Sequence, residues 1–162
     1  MKSQLTRLAL ASAASLTLAA AMIGTASAAQ PYQDSWTNHS VDPGYFDCNG
    51  VPITGDWMVT HQLTIYFDKS GTPTSDRERI DFVGAFVNPA TGDSIADSGQ
   101  SIYFDTLDAN YNYLTTMQNG VRHSAYFHSA GRFDFQTGAS TGVDQSEKNF
   151  AAACAALGAP LP

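Results

Sequence analysis

Basic residues are scarce in this chain: eight Lys and Arg stand against fifteen Asp and Glu over 162 residues. Two of the eight, Lys2 and Arg7, lie at the extreme N-terminus, and no cluster of positive charge follows. Neutralising a phosphate backbone requires grouped Lys and Arg, so nucleic acid and anionic membrane surfaces are poor partners. Cysteine is scarcer still, with only Cys48 and Cys154 and no CxxC pair, so a thiolate metal cage has no ligands. Neither HExxH nor Gly-x-Ser-x-Gly occurs, which removes two common hydrolase signatures. Glutamate is limited to Glu78, set between Arg77 and Arg79, and Glu147, in helix-cap context. Neither reads as the buried acid that glycoside hydrolysis requires.

Residues 1–28 read as a secretory signal peptide: Lys2 and Arg7, then an uncharged apolar stretch from Leu8 to Ile23, then the small-residue exit Ala26-Ser27-Ala28. The apolar stretch is shorter than the roughly 20 residues of a membrane span. Once it is removed, no integral membrane segment is expected, and the location is extracellular. Removing 28 residues leaves 134, enough for one domain, with six Lys and Arg and a net charge of about −9. Outside the cell two cysteines are most simply one disulfide, and Cys48–Cys154 closes almost the whole mature chain. In the chain-entropy account a ~100-residue loop contributes about 4–5 kcal/mol.

The mature chain is expected to be all-β, an antiparallel meander of about seven or eight strands closed as a small barrel or sandwich, with a short C-terminal helix. Residues 29–44, polar and carrying Pro31 and Pro43, read as a loose arm, and 45–162 as a single β domain. Trp57, Val59, His61, Leu63, Ile65 and Phe67 alternate with Met58, Thr60, Gln62, Thr64 and Tyr66, a strand with one apolar face. Arg77 to Asn88 turns apolar on both faces around Gly84. Weaker strands follow at Ser94–Ser98 and Ser101–Thr106. Asn110–Gln118 and Val121–His128 then flank Asn119-Gly120, the strongest hairpin signal in the chain. Ser129-Ala130-Gly131 reads as a further turn into Arg132–Gln136. Asp144 with Glu147 starts a helix over Ser146–Leu157 that Gly158 and Pro160 stop.

Three short segments, Cys48-Asn49-Gly50-Val51-Pro52, Asn88-Pro89-Ala90-Thr91-Gly92 and Cys154-Ala155-Ala156-Leu157, resemble those of small secreted actinobacterial proteins of unknown function. The resemblance spans nearly all of the mature chain. It implies a compact β-barrel with a terminal disulfide, and it implies no activity and no residue role.

Among candidate site residues, His61 shares the parity of Leu63 and Ile65, so it is either a hydrogen-bonded core histidine or a polar group lining an interior pocket. Tyr103 and Tyr113, with Tyr111 and Tyr126, fall on neighbouring strands and serve either packing or a ligand-binding mouth. His123 and His128, five apart on one expected strand, should face opposite ways and not share a metal. A zinc site would need His61 and His123 to meet. Asp105 to Asn110 concentrates oxygen ligands suited to calcium, but equally suited to a turn. No catalytic residue, metal or cofactor is assigned. The leading expectation is a non-catalytic module holding a small apolar or amphipathic ligand. The alternatives are an extracellular protein-interaction or inhibitor module, and an isomerase, cyclase or hydrolase using His61 or His123 with a nearby Asp.

Overall fold

A computed structural model describes residues 29–160; the expected signal segment 1–28 lies outside them. Seven strands run β1 (Tyr32–Cys48), β2 (Val51–Phe67), β3 (Pro73–Val87), β4 (Ser94–Leu107), β5 (Tyr113–Ser124), β6 (Ser129–Asp134) and β7 (Ser140–Asp144). A helix, α1 (Ser146–Ala156), follows. Each strand pairs antiparallel with the next, in the order β1 to β7, so the described residues form an all-β meander with one short helix. The expected closure is not formed: β1 and β7 are the two edges of one open sheet. The sheet nevertheless curls far enough for Arg122 Nη1 on β5 to donate to Tyr45 Oη on β1 at 3.1 Å.

Four local expectations need correction. The loose arm is a strand: Tyr32 to Asp42 pairs residue by residue with Ile65 to Gly55, and Pro43 falls where the register shifts between Asp42 and Phe46. An edge strand with a bulge tolerates proline, which has no N–H to give the ladder. Asn119-Gly120 is not a turn but the middle of β5, where Asn119 pairs with Ile102 and Arg132 and Gly120 with Ser101 and Gly131. Two strand neighbours outweigh a local turn preference, since a central position satisfies both backbone groups. The two weak strands before it are one strand, β4, and Ser129-Ala130-Gly131 lies within β6 rather than in a turn.

Four of the six strand connections share one device. In the turns at Asp68, Asn88, Asp108 and Asp134 a side-chain oxygen accepts the amide two residues on, from Ser70, Ala90, Asn110 and Gln136 respectively. Each then places one residue at positive φ: Gly71, Gly92, Tyr111 and Gly138. Asp and Asn make this local hydrogen bond readily, and glycine accepts the left-handed backbone without steric cost. Tyr111, at φ 64°, is the one member of the four that carries a side chain there.

The strand pairing puts the odd residues of β2, the even residues of β3 and the odd residues of β4 on one face, the concave one. Glycines allow the curl. A Cβ at Gly84 would run into the β2 backbone at Asp56 and Trp57, and one at Gly131 or Gly142 into the facing strand. At one end of the concave face α1 covers an apolar core of Ile53, Trp57, Phe86, Ile95, Phe127 and Leu157, all buried, with Phe46 and Phe150 against them. Phe86 meets Phe46, Trp57 and Phe127 edge-on at 5.1–5.6 Å between ring centres, the geometry the ring quadrupoles favour. Cys48 and Cys154 are bridged, their Cα atoms 5.6 Å apart, and this ties α1 to the end of β1. Asn88 Nδ2 donates to Leu157 O at 2.8 Å, so the same end is also closed by the β3–β4 turn.

Candidate functional site

Away from the helix the concave face stays open, and the register arranges its side chains in cross-strand rows. Nearest the core is Ser40, Trp57, Gly84, Asp97, Ser124. Next come Asn38, Val59, Phe82, Gly99, Arg122, Ser129 and Asp144, then Trp36, His61, Ile80, Ser101, Gly120, Gly131 and Gly142. Beyond them lie Asp34, Leu63, Glu78, Tyr103, Gln118, Phe133 and Ser140, and finally Tyr32, Ile65, Asp76, Asp105 and Thr116. Successive rows are two residues apart, about 7 Å along a strand.

The middle rows carry three adjacent glycines, Gly120, Gly131 and Gly142, which give a floor without side chains. Over it lies a trough of about 590 Å³ bounded by Tyr45 and Phe82 on one side and Phe133 on the other, with Ser101, Gln118 and Arg122 reaching in. Its size falls in the range of small-molecule sites. Arg122 is held rigidly. Its Nε and Nη2 donate to Asp97 Oδ1 and Oδ2 at 3.0 and 2.9 Å, while Trp57 Nε1 also donates to Asp97 Oδ2 at 2.9 Å. Asp97 is only 2% exposed, so this carboxylate depends on both donors. The guanidinium lies 5.1–5.5 Å from the ring centres of Phe86, Phe82 and Tyr45 and 6.0 Å from Trp57, a cation–π setting that fixes its orientation.

The outer rows are acidic and aromatic. His61 Nδ1 donates to Glu78 Oε1 at 2.8 Å, and the imidazole stacks on Trp36 with ring centres 4.6 Å apart. Asp76 and Asp105 are register partners on β3 and β4, 7% and 9% exposed, and the Oδ1 of each is buried without a hydrogen-bond partner. Burial, then the charge of Asp105, pushes the Asp76 carboxyl up to about 7. Burial, reinforced by Glu78, also raises the Tyr103 phenol, and burial together with Asp76, Asp105 and Glu78 raises that of Tyr113. Acids so close share protons as a pair rather than titrating one by one.

Of the candidate pocket residues, His61, Tyr103 and Tyr113 lie on this concave face, and His123 does not. His123 pairs with Ser98 on the convex face and borders a separate cleft of about 340 Å³ with Val83, Ala96 and His128. His61 and His123 therefore never meet. The parity argument for His123 and His128 also fails, because β5 ends at Ser124 and the chain then bends, bringing the two rings to 6.5 Å. The oxygen-rich loop is a turn: Asp108 Oδ1 accepts the amides of Asn110 and Asn112, while Asp105 belongs to the concave face. Among the described residues no group of three His, Cys, Asp or Glu is placed to hold a metal ion. The Asp76–Asp105 pair and the Arg122–Asp97 pair were not singled out from sequence. Their signal was parity, since Asp76 alternates in step with Ile80 and Phe82, and a charge on an apolar parity needs a partner.

Comparison with protein-family models, with curated proteins and with solved structures gives no match.

Proposed function

We propose that the protein is an extracellular binding module that holds a small amphipathic molecule on its concave face, without transforming it. The observation that carries this reading is the glycine-floored trough between Phe82 and Phe133. Three side-chain-free positions in one cross-strand row leave room of ligand size. Aromatic walls take an apolar body, and Ser101, Gln118 and the oriented Arg122 give it polar anchors at one end. An open sheet suits entry and exit, which a sealed lumen does not.

The test uses the apolar fluorophore N-phenylnaphthylamine with the disulfide-bonded chain, in parallel with a Gly120→Leu variant. A Cβ at Gly120 meets Ser101 Oγ at 3.3 Å and Gln118 Nε2 at 3.8 Å, side-chain ends that can turn aside, and the Gln100 carbonyl oxygen at 3.6 Å, an ordinary van der Waals contact, so the variant should fold. The expected result is saturable, stoichiometric fluorescence enhancement by the native chain, lost in Gly120→Leu at an unchanged melting temperature. Absence of saturable binding by the native chain, or equal binding by the variant, would remove the reading.

A further inference from the structure

The run Asp76-Arg77-Glu78-Arg79 looks like a mixed, self-compensating charge segment. The pleat separates it. Asp76 and Glu78 point to the concave face, while Arg77 and Arg79 point to the convex one, where Arg77 lies over the Phe104 ring at 5.9 Å and Arg79 pairs with Asp81 at 2.7 Å. On the concave side β4 adds Asp105 opposite Asp76. Glu78 has His61 as its partner, but the inward oxygens of Asp76 and Asp105 have none. Two buried carboxyls that have only a shared proton between them, beside the phenols of Tyr103 and Tyr113, form a receptor without a donor once that proton is lost. A buried acceptor left unsatisfied costs free energy that an incoming charged N–H group recovers. Flat aromatic rings beside it favour an organic cation over a bare ion.

We infer that Asp76 and Asp105, flanked by Tyr103 and Tyr113, bind the protonated amine of an amphipathic ligand whose apolar body lies in the neighbouring trough. This rests on the trough being a binding site and names the chemical class it takes. The spacing supports the pairing. The Asp76–Asp105 row adjoins the row of Gln118 and Phe133, which border the trough, so head and tail sites are about 7 Å apart, within reach of a short chain. The groups facing the pair from the packed elements are Glu78 on β3, Tyr103 on β4 and Tyr113 on β5, with Tyr32, Ile65 and Thr116 in its own row. All the titratable ones among them are acids, and the two basic groups of the rows beyond are already engaged, Arg122 by Asp97 and His61 by Glu78, so the Asp76–Asp105 pair is left for an incoming cation.

The experiment measures binding of octylammonium, octanol and octanoate, three ligands with one tail and different heads, to the native chain and to Asp76→Asn, Asp105→Asn and Asp81→Asn. Asp81→Asn removes the same charge from the opposite face. The native chain at about pH 8 should prefer octylammonium over octanol by about tenfold or more, the yield of a charge-assisted hydrogen bond at a buried acceptor. Asp76→Asn and Asp105→Asn should cut that preference to near unity, and Asp81→Asn should keep it. Equal binding of octylammonium and octanol, unaffected by Asp76→Asn, overturns the amine assignment and leaves the trough standing. Failure of all three ligands overturns both. A calcium-induced rise in melting temperature that exceeds the octylammonium effect and disappears in Asp76→Asn would make the pair a metal site and also overturn the proposal.

Discussion

Alkaline conditions should weaken this fold in a range where most proteins are indifferent, and a single carboxyl-to-amide change should cancel the effect. In the unfolded chain Asp76 loses its proton near 3.8, whereas in the fold it keeps it up to about 7. A group with a raised folded value stabilises the folded state fully below its unfolded value, and that stability is lost as the pH climbs through the folded one. Each tenfold displacement of the proton equilibrium is worth about 1.4 kcal/mol, which sets a ceiling of about 4 kcal/mol between pH 3.8 and about 7. Because Asp105 shares the proton and solvent reaches the open side of the face, about 2 kcal/mol is expected. Urea unfolding followed by Trp fluorescence, with the disulfide intact, gives the free energy at about pH 5 and about pH 8.5. Native protein should lose about 2 kcal/mol over that interval. Asp76→Asn should match it near pH 5 and exceed it by about that amount at pH 8.5, because the amide keeps a donor beside Asp105 without a charge. An identical pH slope in the two proteins would refute the reasoning. At the acid end the sign reverses: Asp81 is held low by Arg79, and Asp134 by the Thr137 amide, so their stabilisation vanishes as the pH falls below the carboxylate range.

Other perturbations separate the remaining contributions. Replacing Cys48 and Cys154 together by Ser opens a loop of 106 residues and should cost about 4–5 kcal/mol in the chain-entropy account, read as a shift of the urea midpoint; a loss below about 1 kcal/mol would contradict it. Arg122→Met strands a buried Asp97 with Trp57 as its remaining donor and should cost about 3–5 kcal/mol, whereas Arg122→Met combined with Asp97→Leu should recover most of it in a double-mutant cycle. Tyr111→Gly relieves a left-handed backbone position that three sister turns give to glycine, and should raise stability by about 0.5–1 kcal/mol in thermal melts.

Alternation made β2 legible, because Trp57 to Phe67 buries one parity, and the helix had its own composition and stop signal; β3 read as apolar and covered on both faces, yet it buries the Phe86 parity and leaves Val83 63% exposed. Local signals failed where long-range pairing outweighed them. Asn119-Gly120 has turn chemistry, but it sits between β4 and β6, and its glycine serves the trough floor instead. The N-terminal arm looks polar because an exposed edge strand keeps few apolar side chains, so periodicity had little to detect. Closure of a barrel cannot be read from strand count, since seven strands close or stay open according to tilt and stagger, which depend on glycine-permitted bends at Gly84, Gly131 and Gly142.

The candidate site was obscured for a different reason. Composition averages over both faces of a strand, and the pleat does not. Glu78 between two arginines suggests a solvated, balanced run, yet in a strand its sequence neighbours are the residues least able to reach it. Its spatial neighbours are His61, Tyr103 and, along its own strand, Asp76. Sorted by parity, β3 divides the charge of this segment across the sheet, acids within the curve and arginines outside it. The curl then brings Asp105 to Asp76 in a place that water reaches poorly, so a mild excess of acid in the sequence becomes a concentrated demand for positive charge at one point. A chain so poor in Lys and Arg supplies too few cations to meet that demand from within, and the arginine of the concave rows, Arg122, is already committed to Asp97.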